Sequence, residues 1–146
     1  MQATVEHLEA VIEAQASSFV EATGTDPRQA DPDGFRRRVL ERIERGRTWI
    51  KLENDTIVFK AELQSITPDV IYLEGIWTHP EYRRRGIARD SVVELTHRRL
   101  RQQQVLCLAV EPNETTAMQI YEYAGFRYHD DYQARYPQPP AAAARD

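Results

Sequence analysis

The segment Ile76-Trp77-Thr78-His79-Pro80-Glu81-Tyr82-Arg83-Arg84-Arg85-Gly86-Ile87-Ala88 runs from an apolar, β-branched stretch into the start of a helical repeat. A helix start presents backbone N–H groups without intrahelical partners, at the positive end of the helix dipole. Gly86 lets the backbone approach a ligand, small Ala88 keeps the first turn uncrowded, and Arg83, Arg84 and Arg85 attract an anion from a distance. The chemistry that this pattern could do is to cradle a phosphate or pyrophosphate. Two blander uses of the same residues stay open: a loop glycine among solvated arginines, or a nucleic-acid patch. The formal net charge of -4 and the lack of interleaved exposed aromatics speak against the nucleic-acid reading.

Other reactive side chains are few. Tyr121 lies on a helical stripe and is either a proton donor or a core aromatic. Glu74 lies in a strand, where alternation puts it on the face of Ile76 and Thr78. There it could accept a proton or sit exposed on the sheet. Cys107 is the single cysteine, so it has no intrachain disulfide partner, and its apolar neighbours suit an inert thiol. His7, His79, His97 and His129 show no ligand spacing, and no metal is expected.

The elements that must position these residues follow from periodicity. Val5, Leu8, Ile12, Ala16 and Phe19 predict a helix from Val5 to Val20, with Thr4 as N-cap and Gly24 as stop. Thr25-Asp26-Pro27 reads as a turn, and Asp31-Pro32 opens a second helix that buries Phe35, Val39 and Ile43 and closes at Gly46. Thr48–Leu52 and Thr56–Leu63 form a hairpin around Glu53-Asn54-Asp55, and Asp69–Thr78 is a third strand. A helix follows Gly86. Val105–Val110 reads as a strand buried on both faces, Thr115–Ala124 as a helix ended by Gly125, and Phe126–Tyr136 as a last strand or bent pair. The order predicts an α/β fold with a mixed, mostly antiparallel sheet flanked by about four helices and one parallel strand–helix–strand unit.

At 146 residues the chain suits one domain, taken as 1–136, followed by a flexible Pro/Ala-rich tail, 137–146. A hydrophobic content of 41% and a charged content of 29% describe a soluble globular protein. No apolar run is long enough to span a membrane, and Glu6, Glu9 and Glu13 interrupt any signal-peptide pattern, so a cytoplasmic location is expected.

Arg83-x-x-Gly86-x-Ala88 resembles the Arg/Gln-x-x-Gly-x-Gly/Ala signature of the GNAT acetyltransferases, and His79-Pro80-Glu81-Tyr82 resembles the family's lead-in to it. Downstream, Ala117-x-x-x-Tyr121-Glu122-x-x-Gly125-Phe126 is similar to the family's last conserved helix and the turn behind it. The resemblance covers roughly residues 5–136. It implies acetyl-CoA as cosubstrate, with the backbone of Ile76, Trp77 and Thr78 beside the pantetheine arm. The pyrophosphate would rest on the loop Arg83, Arg84, Arg85, Gly86, Ile87, Ala88 and Arg89. Tyr121 takes the place of the general acid, and Glu74 that of an acidic base. The alternative base position on the next strand is Ala109, which leaves Glu111 and waters as further candidates.

The chain departs from the family pattern in three places. The slot of the asparagine that contacts pantetheine holds Glu114, which could still accept a hydrogen bond from a pantetheine amide N–H, and Asn113, one residue away, is either a second cofactor-binding residue or only the helix N-cap. Only Met1–Ala3 precede the first helix, so the usual first strand is expected to be lacking, as in the C-terminal half of a two-domain GNAT protein. Trp77 is bulky for a strand beside the cofactor. The resemblance implies an N-acetyltransferase acting on a small-molecule, peptide or protein amine, without nucleic acid or membrane partners; a homodimer is compatible with it. The alternative is a GNAT-fold CoA-binding module without efficient transfer.

Overall fold

The computed structural model describes residues 1–102 and 105–131. A single 3-10 turn, Val5–His7, leads into α1 (Leu8–Thr23), which buries Leu8, Val11, Ile12, Ala14 and Ala16 and ends at Gly24. Two Asp-Pro pairs then start two helices. Asp26 accepts the Arg28 N–H at 2.9 Å to cap α2 (Pro27–Ala30), and Asp31 accepts the Gly34 N–H at 2.9 Å to cap α3 (Pro32–Glu44). The first pair was expected to make only a turn, yet it carries the same signal: an acceptor side chain followed by a proline preset for the first helical position.

Strands β1 (Thr48–Glu53) and β2 (Thr56–Ile66) form the expected hairpin. Asn54 and Asp55 both take positive φ, 49° and 60°, as a tight two-residue connection requires. Then come β3 (Val70–Thr78), α4 (Ile87–Leu100), β4 (Val105–Leu108) and α5 (Thr115–Tyr123). The sheet order is β1-β2-β3-β4; the first three strands are antiparallel, and β4 runs parallel to β3. This is the mixed α/β architecture expected.

Alternation divides the core between the two faces of the sheet. On one face α1 and α3 cover Ile50, Ile57 and Trp77. On the other, α4 and Ala124, just beyond α5, cover Phe59, Ala61, Leu63, Ile71 and Leu73. The register shifts at three points, Lys51/Leu52, Lys60/Glu62 and Leu63/Ser65, and the second bears on the site. Lys60 lies opposite Trp77 and Glu62 opposite Glu74, so β3 advances three residues while β2 advances two. The extra residue belongs to a bulge at Gly75, whose φ of 57° favours glycine.

No named strand precedes α1, as expected, although Met1–Ala3 lie along β1: Ala3 N–H reaches Thr48 O and Ile50 N–H reaches Met1 O, both at 2.8 Å. The expectation of a strand buried on both faces at Val105–Val110 is corrected. β4 ends at Leu108, Val105 is exposed, and Leu106 to Leu108 are half-buried, because among the described residues β4 pairs only with β3. Phe126–Asp131 form neither helix nor strand, and the rest of the expected last strand and the tail lie outside the described residues.

Candidate active site

The loop after β3 is built from its own side chains. His79 accepts the Glu81 N–H at 3.3 Å and caps the short 3-10 turn Pro80–Tyr82, with its ring edge-on to Trp77 and Tyr82. Arg83 folds back: its Nε donates to the Thr78 carbonyl at 3.0 Å and its Nη2 to Glu21 Oε2 at 2.6 Å. The other oxygen of Glu21 accepts the Trp77 indole N–H at 3.1 Å. One carboxylate from α1 therefore ties β3 to the loop. Arg83 enters the site as a brace, with its guanidinium already engaged.

Beyond that brace the chain turns twice through the left-handed region, at Arg84 (φ 62°) and Gly86 (φ 77°), and enters α4. Successive turns of this kind bring backbone N–H groups onto one concave surface. The first helical bond is Asp90 N–H to Gly86 O at 3.0 Å, and no backbone N–H from Arg84 through Arg89 donates a hydrogen bond among the described residues. Arg85 lies over the Tyr82 ring and Arg89 over the Tyr123 ring, Arg89 also reaching Asp90 at 3.1 Å. Arg84 makes no such contact with the described residues. The result is a row of unengaged donors at a helix start, rimmed by guanidinium groups.

The cradle continues into an open strand edge. β4 pairs with β3 from Val70 to Leu73 and no further, so along Glu74–Thr78 that edge has no strand partner among the described residues. Ile76, Ile87, Ala88, Ile120, Tyr121 and Phe126 belong to the same apolar cluster on the α4/α5 face. Trp77 points the other way, buried between α1 and α3, so its bulk does not crowd the open edge. The sequence-predicted residues Ile76, Thr78, Arg84–Arg89 and Tyr121 are thus brought to one side of the molecule.

Glu74 is not among them. The bulge at Gly75 reverses the alternation, so Glu74 lies opposite buried Glu62 on the α1/α3 face, while Ile76 and Thr78 lie on the other. The shared face expected from simple alternation is corrected by that one inserted residue. Asn113 is also corrected as N-cap: Glu114 holds that position, with a φ of -84° and ψ of 64°, and its side chain makes no capping bond. Both residues are exposed. Ala109 and Glu111 lie exposed beyond the end of β4.

Tyr121 is half-buried, edge-on to Phe126 with ring centres 6.1 Å apart. Burial first, and the Glu114 carboxylate second, push its phenol above the ordinary value of 10.0. It therefore stays protonated at neutral pH and is available as a donor. Among the described residues no His, Cys, Asp and Glu group could hold a metal ion, and no helix is long and apolar enough to cross a membrane.

Three participants escaped the sequence reading. Glu21 is 62 residues from Arg83, and nothing local signals the pair. Gly75 could have been found, because an isolated glycine inside a strand pattern signals a bulge. Lys60 could have been found as one of only two lysines, set between apolar neighbours in a strand.

The sequence model of the acetyltransferase (GNAT) family matches residues 8–126, and the chain belongs to this family. Solved structures with the same fold include an acetyltransferase of the GNAT family from Colwellia psychrerythraea, 20% identical, with a TM-score of 0.69 over 86% of this chain and 44% of that one. This chain thus spans less than half the length of the Colwellia protein. It spans nearly the whole of the aminoglycoside acetyltransferase AAC(6')-Iy, solved with a CoA bisubstrate analogue: 15% identity, TM-score 0.70, 95% of this chain and 97% of that one. An acetyltransferase from Clostridium acetobutylicum, solved with acetyl-CoA, is 17% identical with a TM-score of 0.68 and 92% of each chain covered. No curated protein sequence matches the chain.

Proposed function

We propose that the protein transfers an acetyl group from acetyl-CoA directly to a primary amine of a small molecule, peptide or protein. The observation that carries this reading is the continuity of two features. A row of unengaged backbone N–H groups at the start of α4 suits a pyrophosphate, and the unpaired edge of β3 leads from it into the protein. An anion followed by an extended, amide-containing arm fits that surface, since the arm can pair with a strand edge as another strand would. The related aminoglycoside acetyltransferase and Clostridium structures were solved with ligands of this class.

On this reading the amine nitrogen attacks the thioester carbonyl carbon, and the tetrahedral oxyanion collapses with cleavage of the C–S bond. Tyr121 gives its proton to the departing thiolate. Proton transfer from a phenol held above its ordinary value of 10.0 to a thiolate whose acid is about 8.5 is uphill, so the contribution depends on holding the hydroxyl at the sulfur. The proton lost by the amine passes to Glu74, Glu111 or water. Glu74 then serves from the α1/α3 face, with the acceptor approaching across the bulge. Arg83 contributes through the loop it braces, Asn113 and Glu114 through the turn before α5, and a cytoplasmic location accompanies this use of acetyl-CoA.

A second reading, a CoA-binding module without efficient transfer, is favoured by one observation: Glu114, in place of an amide side chain, is exposed and makes no capping bond. Free-thiol release from acetyl-CoA with a panel of primary amines, aminoglycosides and peptides among them, separates the two. Amine-dependent release supports transfer. Tight acetyl-CoA binding without release from any amine supports the module.

A further inference from the structure

The least expected group in the core is Lys60. It is 0% exposed on the central strand β2, between Ile50 of β1 and Trp77 of β3. A lysine is almost never buried to this degree without dedicated partners. Its Nζ donates to the Gly75 carbonyl at 3.0 Å and lies 3.5 Å from Glu62 Oε1. Glu62 is itself buried, and its other oxygen accepts the Thr48 hydroxyl at 3.0 Å. The chain Thr48–Glu62–Lys60 thus crosses β1 and β2 and ends on the carbonyl of the bulge residue in β3.

Gly75 is fitted to this contact. A side chain there would strain the backbone at its φ of 57°, and a Cβ would come within 3.3 Å of Glu62 Cγ and 3.4 Å of Lys60 Nζ. The bulge also falls where β4 stops pairing with β3, one residue past Glu74. An apolar residue at 60 would pack as well against Ile50 and Trp77, but it could not hold the Gly75 carbonyl. Burial pushes the Lys60 ammonium below its ordinary value; Glu62 and Glu74 oppose that and Arg42 adds to it. Both the ammonium and the neutral amine can donate, so the contact to Gly75 persists in either state.

We infer that Lys60 is a positioning residue for the acyl-CoA arm: by holding the Gly75 carbonyl it fixes the bulge that separates β3 from β4 and sets the Glu74–Thr78 edge on which the pantetheine lies. This rests on the acetyl-CoA reading above. It goes beyond that reading by assigning the shape of the edge to a side chain that touches no ligand. It also divides the cofactor site in two, because the helix-start cradle stands on Arg83, Gly86 and Glu21, not on Lys60.

The test compares two ligands on the full chain by calorimetry: acetyl-CoA, and adenosine 3′,5′-bisphosphate, the nucleotide end of CoA without its arm. Removing one member of a buried ion pair leaves an uncompensated charge, so the variant is the double substitution Lys60→Met/Glu62→Gln. Lys60→Met/Glu62→Met, which discharges the pair in another way, guards against a folding failure of the first. The expected result is acetyl-CoA affinity weakened roughly tenfold, the size for loss of a hydrogen bond to a charged or strongly polar donor, with bisphosphate affinity unchanged. Equal weakening of both ligands would mean general loosening of the fold and overturn the assignment, as would unchanged acetyl-CoA affinity in a folded double variant. Failure of the wild-type protein to bind acetyl-CoA while it binds the bisphosphate would overturn the acetyl-CoA reading and this inference together.

Discussion

Arg83 Nη2 and Glu21 Oε2 are 2.6 Å apart, and this contact joins the end of α1 to the first residue of the cradle. Because Glu21 also holds the Trp77 indole, α1, β3 and the loop meet at one carboxylate. Partial burial pushes the Glu21 carboxyl up, but hydrogen bonds from Arg83 and Trp77 outweigh it and hold the group below its ordinary value of 4.5. Both partners of the ion pair are partly exposed, so solvent screening keeps its worth to about 0–1 kcal/mol.

The sign of the pH effect follows. A depressed carboxyl contributes stability above its unfolded value, and that contribution is lost as pH falls through the folded value. The stability difference between wild type and Glu21→Gln is therefore expected to stay constant from neutral pH down to about pH 4.5, the ordinary carboxyl value, and to shrink below it. Denaturant midpoints of both proteins across that range check this. A difference that grew in acid would contradict it.

Gly86 is needed for its backbone rather than for space. Its φ is 77°, and a Cβ would meet only the Arg89 guanidinium at 3.6 Å, an ordinary contact. Gly86→Ala is expected to cost about 1–2 kcal/mol of backbone strain, visible as a fall in Tm. Gly86→Glu adds a carboxylate at the centre of the row of donors and is expected to abolish acetyl-CoA binding while the fold persists. Unchanged affinity in Gly86→Glu would remove the loop from the site.

Tyr121→Phe keeps the ring against Phe126 and removes only the hydroxyl. The expected effect is a fall in kcat of about 100-fold or more with little change in KM, the pattern of a group that acts in the transition state. The acid must be protonated to work, so activity falls on the alkaline side, and the raised phenol value moves that limb upward. Glu114→Gln removes one of the two causes and is expected to bring the limb back toward lower pH. A pH–rate profile unchanged in both variants would show that Tyr121 is only a core aromatic.

The sequence made legible what is local and periodic. The hairpin around Asn54-Asp55, the helix opened by Asp31-Pro32 and the start of α4 just after Gly86 each follow from a few adjacent residues, and each is where the sequence predicts it. Glu74 was misplaced because alternation holds only while a strand stays regular, and one residue at Gly75 reverses every side chain before it. The apolar run Val105–Val110 does not reveal how many neighbours a strand has, and among the described residues β4 has one, β3. The Glu21–Arg83 and Lys60–Gly75 contacts join residues far apart in the chain, and only the packed sheet and α1 bring them together. Adjacent residues make up the loop motif, and a residue far away in the chain, Glu21, helps to hold it in place.

The central claim is that the cradle and the open edge of β3 together hold acetyl-CoA. The most direct test is a calorimetric titration of the purified chain with acetyl-CoA, alongside Gly86→Glu. The account predicts saturable binding at one site per chain, with a Kd in the range of roughly 1 μM to 1 mM usual for enzyme substrates, and no binding by the variant. Absence of binding by the wild-type chain across that range, or equal binding by Gly86→Glu, would contradict it.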